Sequence, residues 1–452
     1  MTQTILKNAF IITMDGAKRA YEKGDILIEN DKITEIGKVD EKNFSGAEII
    51  DCTGKIIMPG LINTHVHMSQ QLGRGLADDV DLLTWLRERT WPYESSMSEE
   101  EQYIAGTACC IEMIKSGVTA FAESGGFHVD ALGKAVEDTG IRCALARSTM
   151  DDGVGLPSNW VESTDYTLNK QIEAFEKWND KGDGRIKYWF AVRTIFNATE
   201  ELLIRTKKLA DEYKTGIHMH IAEIPEEIDY AKERTGKSTV EYLASIGFLD
   251  KNILAAHHVW LTDREVDLFR LYDVKASHNP AAAMKVLGFA KVPEMLKKGV
   301  VVSIGTDGAP CNNRMDMMDE MYLTALIHKG RTLDPKAVPA EKIIEMATIN
   351  GAKTILRDDE IGSLEVGKKA DLIVINPRGI GSMPLHDPVA NIVYAMHSTN
   401  VESSMCNGKW VMRDRKVTMV DEEAILDKAI ELADNIRRKA GINLPDRFVT
   451  IR

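Results

Sequence analysis

Between residues 59 and 306 the sequence repeats one pattern: a short run of apolar and β-branched residues, a loop, and a segment of helical periodicity. The candidate strands are Leu61–His67, Val118–Glu123, Ile141–Ser148, Ile186–Val192, Gly216–Ala222, Ile253–Val259, Asp273–Ser277 and Val300–Thr306. Helix-period runs separate most of them, for example Glu99–Lys115, Ala131–Asp138, Glu200–Glu212 and Asp263–Leu271. Eight such units in about 300 residues favour an α/β fold with a (β/α)8 barrel of the TIM type. The main rival is an open parallel sheet, but no glycine-rich phosphate loop opens these helices.

The two ends of the chain have a β-rich texture instead. Short β-rich runs before residue 58 are separated by turn residues, and similar runs return at 370–375 and 405–412. We therefore predict that residues 1–58 and 361–420 form the two parts of one small β-sandwich domain. Residues 59–360 would form the barrel, and residues 421–452 a C-terminal helix and tail. The long loop from Met68 to Met97 carries Trp85 and Trp91, which favours an ordered lid over an inert insertion.

Composition narrows the function classes. Hydrophobic residues make up 44% of the chain and charged residues 28%, as in ordinary globular proteins. A formal net charge of −13 argues against a nucleic-acid partner, because phosphate binding needs clustered Lys and Arg. The sequence has no signal-peptide pattern and no apolar run of membrane-spanning length, so we expect no membrane partner. Its 6 cysteines lack a CxxC spacing, which is typical of reduced thiols and predicts a cytoplasmic protein.

Two candidate strands end in histidine pairs with i, i+2 spacing. His65 and His67 end the first strand, and His218 and His220 lie on the fifth. Side chains at i and i+2 share one face of a strand, so each pair presents two imidazoles in one direction. One such pair is weak evidence for a metal site, because two surface histidines at a sheet edge have the same spacing.

Further polar residues follow the other strand ends. Glu223 follows the fifth strand, His257 lies at the end of the sixth, and Asp307 follows the eighth. In a barrel these strand ends open on one face, so a metal ion could collect both histidines of the first strand, one of the fifth, and Asp307. Three nitrogens and one carboxylate leave room for a water, whose pKa zinc lowers to about 7. Glu223 is placed to shuttle protons. A closed structural zinc site is the alternative, but only Cys311 among the cysteines lies beside these strand ends.

Taken in order, these segments resemble the amidohydrolase superfamily, in particular its mononuclear aminohydrolase branch. The motifs are PGLINTHVH at 59–67, HMHIAE at 218–223, AHHV at 256–259, GTDGAP at 305–310 and IGSLEVGKKADLIV at 361–374. The resemblance implies a set of site residues: the metal ligands His65, His67, His220 and Asp307, the acid/base Glu223, and His257 beside the metal-bound water. It makes Asp307 catalytic as well, and His218 structural. It also implies one Zn²⁺ per subunit, with Fe²⁺ or another divalent metal as the alternative.

Within this branch the sequence is most similar to 5-methylthioadenosine/S-adenosylhomocysteine deaminases, followed by triazine hydrolases. The segment Trp91-Pro92-Tyr93-Glu94 matches the one in which a deaminase glutamate holds the ribose hydroxyls, which assigns that role to Glu94. Arg147 matches a substrate-binding arginine. The alternative for Glu94 is a solvated charge near a helix start, and that for Arg147 is a salt bridge beneath the loops.

One departure concerns the substrate. After the fourth strand those deaminases have a histidine where this sequence has Arg193, which is always charged, only donates, and favours a carbonyl or carboxylate partner. This resembles the arginine near the same strand in guanine deaminases.

Three hypotheses remain open. The first is a metal-dependent deaminase of a small N-heterocycle, with an adenosine-type purine ahead of a guanine- or pterin-like ring. The second keeps the metal but changes the leaving group, as in a triazine hydrolase. The third is a non-catalytic metal- or ligand-binding module. Assembly into homo-oligomers is left open.

Overall fold

The strands of the protein form two sheets. The computed structural model describes residues 2–153, 156–160, 162–445 and 447–448. The strands in these ranges are β1 (Gln3–Ile12), β2 (Ala20–Glu29), β3 (Lys32–Gly37), β4 (Glu48–Asp51), β5 (Ile56–Pro59), β6 (Leu61–Val66), β7 (Val118–Glu123), β8 (Arg142–Ala146), β9 (Ile186–Val192), β10 (Ile217–Ile221), β11 (Ile253–His257), β12 (Lys275–His278), β13 (Val302–Ile304), β14 (Leu372–Ile375), β15 (Val401–Cys406), β16 (Lys409–Arg413) and β17 (Lys416–Val417).

Strands β6 to β13 form the predicted barrel. They make one 8-stranded parallel sheet in chain order. The first and last strands meet through other hydrogen bonds: Asn63 Nδ2 donates to Thr306 Oγ1 (2.8 Å), and the Asp307 amide donates to the His65 carbonyl (2.9 Å). Strand residues are buried on both faces, as expected when helices cover the outside and side chains fill the inside. The barrel prediction is confirmed.

The remaining strands come from both chain ends and build the second sheet. Strands β1 to β5 and β14 to β17 are hydrogen-bonded in a single 9-stranded sheet, so both chain ends build the small β-domain, as predicted. Side chains of β14 alternate: Leu372 and Val374 join the core of this sheet, whereas Ile373 and Ile375 join the barrel core. The amide of Ile33 donates to the Lys368 carbonyl, so the sheet curls back on itself beside β14. One continuous sheet thus encloses its own core and also packs against the barrel.

Helices connect the barrel strands and close the chain. Those of seven or more residues are Glu99–Lys115, Val129–Thr139, Thr164–Trp178, Glu200–Glu212, Pro225–Thr235, Thr239–Ser245, Asp263–Leu271, Met317–Thr332, Ala340–Ala347, Pro388–Tyr394 and Glu422–Lys439. Short α-helices cover Leu82–Thr84, Trp91–Ser95, Lys181–Gly184, Pro280–Ala282, Val292–Lys297, Ala309–Asn312 and Ile349–Thr354. Short 3-10 helices cover Glu41–Asn43, Met68–Gly73, Ser158–Trp160, Ile195–Asn197 and Ser398–Asn400, and π-helical turns cover Trp85–Thr90 and Ala283–Leu287.

Two local features interrupt the regular elements. The segment 340–354 is two helices, because Thr348 leaves helical geometry with φ −127° and ψ −94°. The Asn407-Gly408 turn joins β15 and β16, with φ of 52° and 73° at the two residues. Within the described ranges, no helix combines the length and the apolar character needed to cross a bilayer.

Candidate metal centre and substrate pocket

The predicted ligands converge at the carboxyl-terminal mouth of the barrel. His65 Nε2 lies 3.4 Å from Asp307 Oδ1, and His67 Nε2 lies 3.5 Å from the same oxygen. His67 Nε2 and His220 Nε2 are 3.3 Å apart. His65 lies in β6 and His67 directly follows it, whereas His220 lies in β10 and Asp307 in the loop after β13; all four side chains are buried. The structure therefore brings together donor atoms from three separate parts of the barrel.

The tautomer of His65 follows from a chain of hydrogen bonds. His218 Nδ1 lies 3.2 Å from the backbone carbonyl of Glu123, which only accepts, so this nitrogen carries the proton. The Nε2 of a neutral His218 then accepts from His65 Nδ1 at 2.8 Å. His65 Nε2 is left with a free lone pair directed into the centre. His218 is therefore a hydrogen-bonding partner of a predicted ligand, which specifies its predicted structural role.

The same reasoning separates His220 from His257. His220 Nδ1 donates to the carbonyl of Arg193 (2.8 Å), so its Nε2 carries a lone pair. His257 Nδ1 instead accepts from Asn279 Nδ2 (3.1 Å), so its Nε2 carries the proton. That Nε2 lies 3.6 Å from Glu223 Oε1 and 3.7 Å from Asp307 Oδ2. His220 thus offers an electron pair, and His257 offers a proton donor.

The electrostatics suit a cation. Burial, with the positive charge of Arg193 and neighbouring imidazoles, holds the pKa of His67 and His220 well below the ordinary value, so both rings are neutral at pH 7. Burial opposes ionisation of Asp307, yet the imidazoles around it hold its pKa below the usual range. The centre therefore combines neutral imidazoles with one carboxylate.

This donor set fits a divalent metal ion. Among the described residues, His65 Nε2 is buried and has no hydrogen-bond partner. The short separation of His67 Nε2 from His220 Nε2 also favours a cation between them. Two groups could hold an ion: His65, His67 and His220, or His65, His257 and Asp307. Because His257 Nε2 carries a proton, we favour the first group completed by Asp307.

Backbone strain marks the same strand ends. Ala222, His257, His258 and Asp307 all have positive φ, at 55°, 71°, 42° and 65°. Such conformations are unfavourable for residues other than glycine and persist where the surrounding structure holds them. Sequence reasoning gave no sign of this, because none of these positions is a glycine.

A cavity of about 290 Å³ opens from the metal centre. Its floor includes His67, His220, Glu223, His257 and Asp307. The predicted lid segment supplies an apolar wall with Leu82, Leu83, Trp85, Leu86 and Trp91, and Phe196, Tyr230, Val286 and Leu287 contribute elsewhere. A largely apolar cavity with a few polar groups at one end is typical of a small-molecule site.

The predicted substrate residues have different surroundings. Arg193 is only 5% exposed and lines the cavity, and the described residues offer its guanidinium no ion-pair partner within 4.0 Å. Glu94 is 4% exposed and accepts from Ser69 Oγ (2.6 Å) and Gln70 Nε2 (3.2 Å), which excludes the alternative of a solvated charge. Burial raises the pKa of Glu94.

Arg147 is engaged elsewhere. Its guanidinium pairs with Glu162 at 2.5 Å, donates to Thr167 Oγ1 (3.2 Å), and lies over the ring of Phe127. It lies outside the described lining of the cavity. This is the salt-bridge alternative, and a role in substrate binding stays a prediction.

The geometry agrees with comparisons to known proteins. The sequence model of the amidohydrolase family matches residues 56–411 of this chain. The chain belongs to the amidohydrolase family. Among relatives of this amidohydrolase, the 5′-deoxyadenosine deaminase of Methanobrevibacter smithii is 40% identical over 96% of this chain and 98% of its own. The 5-methylthioadenosine/S-adenosylhomocysteine deaminase of Syntrophomonas wolfei is 38% identical over 95% of this chain and 98% of its own.

Solved structures of similar fold include two zinc proteins. An adenosine deaminase from Xanthomonas campestris with bound zinc superposes with a TM-score of 0.92 at 26% identity, covering 97% of this chain and 99% of its own. An atrazine chlorohydrolase from Arthrobacter aurescens complexed with zinc gives a TM-score of 0.89 at 25% identity, covering 95% and 100%. The resemblance read from the sequence motifs is confirmed.

Proposed function

We propose that this amidohydrolase is a metal-dependent hydrolytic deaminase of an adenosine-type purine, with 5′-deoxyadenosine, 5-methylthioadenosine and S-adenosylhomocysteine as candidate substrates. One observation carries the proposal: three buried histidines and the Asp307 carboxylate lie beside the carboxyl group of Glu223 and the imidazole of His257 at one end of an apolar cavity. The full-length similarity to proteins named as deaminases of these nucleosides supports the choice of substrate.

In this proposal His65, His67, His220 and Asp307 hold one Zn²⁺ or another divalent ion. When bound, the ion supplies a nucleophile at neutral pH by lowering the pKa of a coordinated water. The zinc present in two structural neighbours supports this choice of metal.

Glu223 is the proton carrier in the proposed reaction. Burial raises its pKa well above the ordinary value, and the nearby carboxylates of Asp307 and Glu227 raise it further, so it takes up a proton more readily than an exposed glutamate does. It can donate this proton to a ring nitrogen and then assist departure of ammonia. His257 Nε2–H faces the same space and orients the polar groups of the reacting carbon.

Arg193 favours a second candidate, a guanine- or pterin-like oxo-heterocycle. A buried guanidinium without an ion-pair partner in the described part of the chain needs an acceptor, which a ring carbonyl would supply. The same donors also fit the acceptor nitrogens of a purine, so the substrate has to be measured.

We place the reaction in the cytoplasm because the 6 cysteines are free and buried, as in a reducing compartment.

The test is ammonia release from a panel of adenosine derivatives, guanine, pterins and aminotriazines, with chloride release from chlorotriazines measured in parallel. We expect ammonia from the 5′-modified adenosines in wild type and a loss of at least 100-fold in Glu223→Gln. The Arg193→His variant should retain adenosine-type activity and lose any activity on oxo-heterocycles. Protein that holds its metal but releases no ammonia from the whole panel contradicts the proposal, and chloride release alone would favour a triazine hydrolase.

A further inference from the structure

A second glutamate lies directly behind the proposed proton carrier. Glu227 is fully buried, and its two carboxylate oxygens accept from two consecutive backbone amides. Oε1 accepts from the amide of Ala222 and Oε2 from the amide of Glu223, both at 2.8 Å. The backbone at Glu223 is therefore held by two bonds to one side chain.

These bonds differ from ordinary helix capping. Glu227 is the third residue of the helix Pro225–Thr235, whose N-cap is Ile224. A glutamate at this position commonly reaches back to the N-cap amide. Glu227 reaches further, to the two residues that leave β10, where Ala222 has a left-handed φ of 55°. That conformation is costly for alanine, so the peptide needs external support to stay in place.

We propose that Glu227 is a positioning residue for Glu223, fixing the Ala222–Glu223 peptide so that the Glu223 carboxyl group faces His257 and the substrate. This inference rests on the proposed function. The separation of 3.6 Å between Glu223 Oε1 and His257 Nε2 is the geometry that Glu227 would maintain.

The next barrel unit offers a matched control. Glu265 is also the third residue of its helix, Asp263–Leu271, and is 1% exposed. Its Oε2 accepts from the amide (2.7 Å) and hydroxyl (2.8 Å) of Thr262, which is the N-cap. Glu265 therefore caps a helix without contacting the backbone of His257 at the end of the preceding strand. If Glu227 only stabilised the fold, replacing Glu227 or Glu265 would change thermal stability and kcat in the same way.

The first measurement compares Glu227→Gln with Glu265→Gln. Glutamine has one acceptor oxygen, and its NH₂ group would face the second backbone N–H, so one of the two bonds is lost. A displacement of about 1 Å of a catalytic group can cost about 100-fold, so we expect kcat of Glu227→Gln to fall about 10- to 100-fold with KM nearly unchanged. Glu265→Gln should keep kcat within about twofold, although both variants lose thermal stability.

A double variant tests whether Glu227 acts through Glu223. In a Glu223→Gln background, adding Glu227→Gln should reduce the residual kcat no further, because the group being positioned is already disabled. Equal fractional losses in the two backgrounds would overturn the proposal, as would a Glu227→Gln enzyme within twofold of wild type. If Glu227→Gln does not fold, Glu227→Asp provides the comparison, since it keeps the carboxylate on a shorter arm.

Hydrogen exchange gives a readout that is independent of activity. The amides of Ala222 and Glu223 should exchange faster in Glu227→Gln than in wild type or Glu265→Gln. Unchanged exchange at these amides would overturn the proposal. A wild-type protein that deaminates nothing in the panel would refute the proposed function alone, since the exchange measurement still reports on the positioning.

Discussion

Removing the imidazole of His218 should weaken metal binding although His218 is not a predicted ligand. Its Nε2 accepts a hydrogen bond from His65 Nδ1–H (2.8 Å), which leaves the lone pair of His65 Nε2 directed into the centre. In His218→Phe an aromatic ring still fills the space, but the nitrogen that accepts the hydrogen bond from His65 is lost. His65 then either keeps a buried, unpaired Nδ1–H or moves its proton to Nε2, where it competes with the metal.

The size of the effect follows from those two options. A buried donor without a partner costs about 1–3 kcal/mol. Loss of a hydrogen-bonding partner behind a metal ligand typically weakens metal binding about 10- to 100-fold, which is about 1.4–2.8 kcal/mol. The two figures agree, so we expect the dissociation constant for Zn²⁺ to rise by about 10- to 100-fold.

The assay is competition for Zn²⁺ between the metal-free protein and a chromophoric chelator. His258→Phe is the control, since His258 is fully buried and its ring nitrogens have no hydrogen-bond partner among the described residues. The control should bind Zn²⁺ within about threefold of wild type. The reasoning is refuted if His218→Phe binds as tightly as wild type, or if His258→Phe is weakened equally, because the effect would then come from core packing.

Three further predictions follow from other parts of the structure. Arg142 donates to both oxygens of Asp371 at 2.8 and 2.9 Å across the two sheets, and both side chains are buried. The Asp371→Asn substitution should therefore lower the free energy of unfolding, measured in urea, by about 3–5 kcal/mol. The double variant R142M/D371L should recover most of this loss, and an unaffected Asp371→Asn would show that the pair is dispensable. Burial raises the pKa of Glu320 from 4.5 to about 8, so the folded protein favours the protonated carboxyl group. The contribution of this group to the free energy of unfolding is complete below pH 4.5 and is lost as the pH rises towards 8. Between pH 5.5 and 7.5 the free energy of unfolding of wild type should therefore fall by about 2–3 kcal/mol more than that of Glu320→Gln. Equal pH slopes of the two proteins in urea unfolding would contradict this prediction. Stripping the metal with a chelator should abolish ammonia release and lower Tm, with recovery on adding Zn²⁺; full activity after complete removal, checked by elemental analysis, would refute a role for the ion.

The alternation of strands and helices was readable from the sequence because hydrophobic periodicity is a local property. The strands Val118–Glu123 and Ile186–Val192 and the helices Glu99–Lys115 and Glu200–Glu212 begin and end where the pattern predicted. Strand Glu48–Asp51 has a weaker pattern, since it is short and mostly exposed and, among the described strands, pairs with β1 alone. The convergence of the histidine pairs with Asp307 followed from strand order, because parallel barrel strands end on one face.

Tertiary structure alone decided how the site residues are held. The tautomer of His65 depends on a histidine 153 residues away and, through it, on a carbonyl of β7. The pairing of Arg147 with Glu162, which lies away from the cavity, likewise left no trace in the sequence motifs. Hydrogen bonds act over about 3 Å in space but connect residues at any separation along the chain, so no local pattern encodes them. The sequence therefore determined which side chains reach the mouth of the barrel, and the fold determined which of them offer an electron pair, a proton or only support.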